Sequence, residues 1–210
     1  GYDVISEINP KIILCEISGY GRTGPYSDKG GFDLVAQGMS GLMSITGESK
    51  DKPPMKVGAP ITDITAGLLA SSGILAALVH REKTGEGQKV DTSLFEAGIV
   101  HTYWQSAIAG ATGHSPGPLG SAHPLTAPYQ AFKTKDKWIT VGASNQNTWL
   151  MLLKAINRQD LQDDEKFSSN LNRKENINEL VDILNAELIK KTSDEWLKIF
   201  DNNGLPCGPI

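Results

Sequence analysis

Residues 57 to 80, VGAPITDITAGLLASSGILAALVH, hold one carboxylate, Asp63, and no further charged side chain before Arg81. An aspartate in the first turn of a helix ordinarily acts as a cap, accepting backbone N–H bonds and gaining about 0.3 to 1 kcal/mol from the helix dipole. The other reactive residue types form no pattern of their own. His80, His101 and His114 have no metal-ligand spacing, so no metal is expected, and His123 stands alone in the loop GSAHP. Cys15 and Cys207 lie far apart and outside any CxxC or Cys/His arrangement. Neither a disulfide framework nor a structural zinc site is indicated, and a reducing, cytoplasmic setting is the expectation. The isolated acid at the head of an apolar, small-residue helix, which by its composition should be buried, is the feature that needs a reason.

The elements around it follow from periodicity and breakers. KIILCEIS (11–18), bounded by Asn9-Pro10 and Gly19, predicts a buried strand, and the turn-rich loop GYGRTGPYSDKGG follows. FDLVAQGMSGLM (32–43) has helical spacing, ESKDKPP reads as an exposed loop, and the helix behind Asp63 runs into the charged turn REKTGEGQ. KVDTSL then predicts a strand leading into a helix over Phe95 to Ile108. Strand, helix, strand, helix implies a parallel α/β layer. The Gly/Pro/Ser-rich stretch at 110–128 is too long for a routine connection. Three regions are therefore expected: 1–108, a linker or functional loop over 109–128, and a smaller α+β domain over 129–210. The last offers strands YQAFKT and KWITVGA and then three helices. In the second of these, Ile177, Leu180, Val181, Leu184 and Leu188 share one face, and Thr192 with Glu195 has capping-box spacing for the third. Trp104, Trp138, Trp149 and Trp196 are expected in the core.

Bulk properties narrow the function. A chain of 210 residues with net charge −4 and no basic stripe excludes nucleic acid as an expected partner. The longest uncharged run, Ile64 to Val79, is interrupted by Thr65, Ser71, Ser72 and two glycines. It falls short of the roughly 20 apolar residues that span a bilayer, so no membrane segment is expected. The chain opens without an initiator Met and stops at GLPCGPI directly after a turn, so it reads as a piece of a longer protein.

Three blocks, SGYGRTGPYSDKGGFDLVAQGMSGLMSITGE, GAPITDITAGLLASSGILAALVHREKTGEGQKVDTSLFEA and GSAHPLTAPYQAFKTKDKWITVGA, resemble the family III CoA-transferases in content and order. That superfamily includes formyl-CoA, carnitine and succinyl-CoA-dependent dicarboxylate transferases and the related α-methylacyl-CoA racemases. The resemblance implies an α/β fold: part of a Rossmann-like CoA-binding large domain followed by a smaller α+β domain, in proteins about twice this length that form interlocked homodimers. It implies coenzyme A or acyl-CoA as substrate, with no prosthetic group, and a small carboxylic acid as acceptor. It makes Asp63 the nucleophile, forming an aspartyl-acyl anhydride and then an aspartyl-CoA thioester. It assigns Gly30, Gly31, Phe32 and Asp33 to a CoA-contacting loop, and it assigns Gly120 and His123 to an acceptor-facing loop. Gln37, on the helix after the CoA loop, is a minor candidate to turn its amide toward the site.

The racemases carry a histidine in a GHD pattern where this chain has Phe32 in GFD, so the two-base exchange lacks a partner and racemase is the disfavoured alternative. A non-catalytic CoA-binding relative is the second alternative. GSAHP also departs from the run of glycines in the formyl-CoA/oxalate enzymes, which argues against oxalate and formate. The isolated 210 residues are expected to be inactive.

Overall fold

The run ahead of Gly19 forms β1 over Leu14–Ser18, preceded by the short helix α1 (Tyr2–Ile8). β1 pairs in parallel with β2 (Lys89–Ser93), Leu14 facing Lys89 and Ser18 facing Ser93, so the expected parallel layer is present as two strands. This computed structural model describes all residues, 1–210, and divides into two units, Gly1–Gly120 and Ser121–Ile210.

In the first unit the single helix expected over 32–43 is two: α2 (Asp33–Met39) and α3 (Leu42–Ile45). Gly41 between them takes φ 86°, a left-handed conformation that ends one helix and that a side chain resists. The helix expected over 95–108 also divides, into α5 (Leu94–Val100) and α6 (Tyr103–Thr112), where the Thr102 hydroxyl turns back to donate to the Ile99 carbonyl at 2.8 Å. Between these pairs lies α4 (Ile61–Thr84), 24 residues long and closed by Gly85 at φ 79°.

The helix α4 packs on β1, β2 and α5 through its smallest side chains. Thr62, Ala66, Ala70 and Ala77 are its buried residues, and Gly73 lies so close to the sheet that an added Cβ would stand 2.6 Å from Val90 Cγ1. The larger apolar residues Ile64, Leu68, Leu75 and Val79 face outward, Leu68 and Leu75 each 63 % exposed. The expected burial of this helix therefore does not hold within the chain: a close approach to the sheet selects small residues on the inner face and leaves the bulky ones outside. By length and composition alone α4 is also apolar enough to cross a bilayer, because the helix extends beyond the run counted in the sequence.

The second unit is built on a three-stranded antiparallel sheet. β3 (Tyr129–Lys133) and β4 (Trp138–Gly142) form a hairpin, and β5 (Cys207–Pro209) adds on the other edge of β4 with Val141 opposite Cys207. β5 lies within the turn-like text GLPCGPI, which offered no strand signal. Four helices, α7 (Gln146–Ala155), α8 (Asn170–Glu175), α9 (Ile177–Leu188) and α10 (Ser193–Asn202), and one 3-10 turn (Gln159–Gln162) replace the three expected. Leu180, Leu184 and Leu188 enter the core as the periodicity required, alongside Phe132, Trp149 and Phe200. The capping box at Thr192 and Glu195 forms in both directions. Trp149 and Trp196 are buried, whereas Trp104 and Trp138 are each 48 % exposed, contrary to expectation. Trp138 lies on the sheet hairpin, where alternate residues face outward. The unit boundary at 120/121 falls inside the stretch 109–128, and α6 runs into that stretch as far as Thr112.

Candidate active site

Helix α4 begins at a proline. Pro60 is its N-cap residue and offers no side-chain acceptor, while Ile61 and Thr62 precede Asp63. The orphan N–H groups of the first turn must find partners elsewhere. One partner comes from α2: Asp33 Oδ1 accepts from the Thr62 N–H at 3.0 Å and from the Thr62 hydroxyl at 2.8 Å. Asp33 Oδ2 accepts from Gln37 Nε2 at 2.8 Å, and Gln37 Oε1 accepts from the Val57 N–H at 2.8 Å. Thr62 and Gln37 are wholly buried. The cap that local sequence assigns to Asp63 is thus supplied by a carboxylate 29 residues earlier in the chain.

Asp63 itself is exposed and makes no hydrogen bond or ion pair. A capping carboxylate has its lone pairs committed to backbone donors; Asp63, relieved of that task, has both side-chain oxygens uncommitted. Asp33 is the committed one. Burial would push its carboxyl up, but the N–H and hydroxyl of Thr62, the Gln37 amide and the Lys56 charge together hold it below the usual carboxylate range. Lys56 Nζ donates to the carbonyls of Val57 at 3.0 Å and Gly58 at 3.1 Å, so a cation also braces the segment entering α4.

The loop Gly30-Gly31-Phe32-Asp33 lies immediately before this cap. A Cβ on Gly31 would stand 2.7 Å from Gly19 Cα, so Gly31 is required by a backbone crossing at the end of β1. Gly30 faces open space, and Phe32, the N-cap residue of α2, is 80 % exposed. Gly30 and Phe32 are the accessible members of the group, since both Asp33 oxygens already serve the protein. Gln37 does not turn its amide toward an open site: both ends are bonded, to Asp33 and to Val57, in a buried position.

Sequence reasoning missed Thr62 and Lys56, and it missed the contact of Thr65 Oγ1 with His101 Nε2 at 2.6 Å, which ties α4 to the end of α5. The i,i+4 spacing of Asp33 and Gln37 is the local signal that those two act together. Nothing local points from Asp33 to Thr62.

His123 belongs to the second unit, and Gly120, at φ 60° with its N–H on the Gly47 carbonyl at 2.9 Å, ends the first. His123 Nδ1 accepts from the N–H groups of Leu125 at 3.1 Å and Thr126 at 3.2 Å, which assigns the ring proton to Nε2. Its ring meets Tyr129 edge-on at 5.3 Å. Burial, and then the charge of Lys174, push its pKa below the ordinary value, favouring the neutral imidazole. The Cys207 thiol, beside Asp201, is pushed up to about 11, chiefly by burial, and stays protonated at neutral pH.

The whole chain, residues 1–210, matches the model of CoA-transferase family III. The chain belongs to that family. It is 40 % identical over 211 residues to the succinyl-CoA:glutarate CoA-transferase of Mus musculus, covering 100 % of this chain and 48 % of the relative. It is 36 % identical over 209 residues to the succinate–glutarate CoA-transferase of Agrobacterium fabrum, covering 100 % of this chain and 52 % of the relative. Among solved structures, a CAIB/BAIF family protein from Brucella suis aligns with TM-score 0.81 and 35 % identity, over 100 % of this chain and 55 % of that one. The family III chain described here therefore spans about half the length of the curated relatives it matches.

Proposed function

We propose that the protein containing this chain transfers CoA from an acyl-CoA such as succinyl-CoA to a small carboxylic acid, with Asp63 as the covalent carrier. The observation that carries the reading is the division of labour at the head of α4: Asp33 takes the cap, and Asp63, one residue beyond Thr62, is left exposed and unbonded. The family and the names of the relatives support the substrate class.

In this reading an Asp63 oxygen attacks the thioester carbon of the donor, the C–S bond breaks, and a mixed anhydride and CoA thiolate result. The thiolate attacks the Asp63 carbonyl and releases the donor acid, leaving an aspartyl-CoA thioester. The acceptor carboxylate attacks that carbonyl, displacing the thiolate and forming a second anhydride. The thiolate then attacks the acceptor's acyl carbon, which delivers the new acyl-CoA and restores the Asp63 carboxylate. Each step develops negative charge near the N-terminus of α4, whose dipole favours it. Each intermediate also hydrolyses in water, so the walls that exclude solvent must come from outside this chain, in which Asp63 is exposed.

Gly30 and Phe32 are then the CoA-facing members of their loop, with Gly31 and Asp33 shaping it, and Gly120 and His123 face the acceptor. The outward apolar face of α4 is covered by the Rossmann-like remainder of the large domain and by an interlocked partner subunit. The isolated 210 residues are inactive.

The test is a transfer assay on the full-length protein with succinyl-CoA and a series of carboxylic acids. Transfer is expected for wild type and a loss of about a thousandfold or more for Asp63→Ala. Undiminished transfer by Asp63→Ala, or α-proton exchange in place of transfer, overturns the proposal.

A further inference from the structure

Loop 123–127 of the second unit is held from one side by side chains of the six-residue helix α8. Asn170 presents an amide to the loop as a neighbouring strand would: its Oδ1 accepts from the Ala127 N–H at 3.1 Å and its Nδ2 donates to the Leu125 carbonyl at 2.9 Å. Arg173 Nε donates to the Ala127 carbonyl at 2.8 Å, and Lys174 Nζ donates to the His123 carbonyl at 3.2 Å. Three of the five loop residues thus have backbone groups fixed by side chains spaced 0, 3 and 4 along one helical face.

Arg173 shows how much the arrangement costs. It is wholly buried, and the acceptors of its guanidinium are all neutral. Its guanidinium donates to the carbonyls of Ala127 and Phe167, each at 2.8 Å, and to Gln146 Oε1 at 3.1 Å, and it lies 5.0 Å from the centre of the Trp149 ring. Desolvation lowers the pKa of both Arg173 and Lys174. Burying a cation without a counter-ion is costly, and stability alone is better served by an apolar residue of the same volume. What the cation provides is direction: a rigid planar donor that fixes a carbonyl in one place. The same loop carries His123, whose Nδ1 is locked by two N–H groups of that loop.

We infer that α8 is a clamp that sets the conformation of loop 123–127, with Asn170 and Lys174 as positioning residues through which the loop discriminates among acceptor carboxylates. The inference rests on the proposed CoA-transferase function and on the acceptor-facing place of His123 in it. A preset loop selects by shape: the acceptor must fit a surface already fixed, and loosening the clamp lowers the preference between acids of different length.

The test uses the full-length protein with Asn170→Asp, which is nearly isosteric, keeps the Ala127 bond and replaces the Leu125 bond by repulsion between two acceptors. Lys174→Met is the second variant, and it leaves the buried Arg173 untouched. Two readouts are taken: hydrogen exchange of the Leu125 to Ala127 amides, and KM for a short and a longer dicarboxylate beside KM for the acyl-CoA. The expected result is faster exchange in the loop and a change of about fivefold to tenfold in the ratio of the two acceptor KM values, as for one lost hydrogen bond. KM for the acyl-CoA should change less than twofold. A purely structural role lowers stability and activity with every acid alike and leaves the ratio unmoved, and that result overturns the inference. Unchanged exchange in both variants overturns it as well. If wild type transfers CoA to no acid, the functional reading fails by itself, and the exchange data still decide whether α8 clamps the loop.

Discussion

The two units bury different things. In the first, every buried apolar side chain except Leu42 is an alanine, and the bulky residues Phe32, Leu68, Leu75, Val79 and Tyr103 are exposed. In the second, Trp149, Phe132, Phe167, Phe200 and a set of leucines close a core of large apolar side chains. A buried alanine removes little apolar surface from water, whereas a buried leucine or phenylalanine contributes about 1.5 to 3 kcal/mol. The second unit therefore carries its own stabilisation. The first has the polar fastenings of Asp33 on Thr62 and Gln37 on Val57, and its larger apolar side chains stand exposed. Asp63, the proposed covalent carrier, lies in this first unit, on the same helix as the exposed Leu68 and Leu75.

This contrast is open to direct attack. The largest effect should come from the closed core: Trp149→Ala or Phe200→Ala should destabilise the second unit by about 3 to 5 kcal/mol in urea unfolding. A loss below about 1 kcal/mol in both variants breaks the contrast. Leu68→Ala should cost less than about 0.5 kcal/mol in the 210-residue chain, because the side chain is already mostly in water. In the full-length protein the same substitution should cost about 2 to 4 kcal/mol if the face of α4 is covered there. Equal small effects in the two lengths mean that nothing covers it.

The polar fastening should give a smaller, pH-dependent effect. Asp33→Ala should cost about 1 kcal/mol at pH 7, the usual value of a lost helix cap. Because the folded Asp33 carboxyl lies below its ordinary range, its contribution is fully present above the unfolded value of about 3.9 and fades as pH falls through the lower, folded value. Urea unfolding of wild type and Asp33→Ala should therefore differ at pH 7 and converge in strong acid. A gap that widens on acidification contradicts the assignment. A comparably small cost, about 0.5 to 1 kcal/mol, should follow Thr192→Ala at the capping box of α10, read from the same unfolding curves.

How far the sequence could be read depended on the range of each interaction. The Thr192–Glu195 box and the Leu180, Leu184, Leu188 face were legible because their partners lie within one or two turns. The strands β1 to β4 were legible from alternation and breakers, while β5, three residues containing Gly208 and Pro209, has no strand composition and exists only because β4 offers an edge. The break at Gly41 was present in the text but outweighed by the helical spacing around it. At the site, Asp63 was correctly placed in the first turn of a long helix, and its cap was misassigned because the true cap comes from Asp33 in a different helix. The grip of α8 on the His123 loop, spanning 43 residues from Asn170 to Ala127, left no local trace at all.

The most direct test of the account asks whether Asp63 becomes acylated. The full-length protein is incubated with succinyl-CoA in the absence of acceptor, treated with hydroxylamine, digested, and examined by mass spectrometry for a hydroxamate. The hydroxamate is expected on Asp63, absent without the acyl-CoA and absent in Asp63→Asn, with Asp33 unmodified throughout. A hydroxamate on another carboxylate, or none on an enzyme that still transfers CoA, contradicts it.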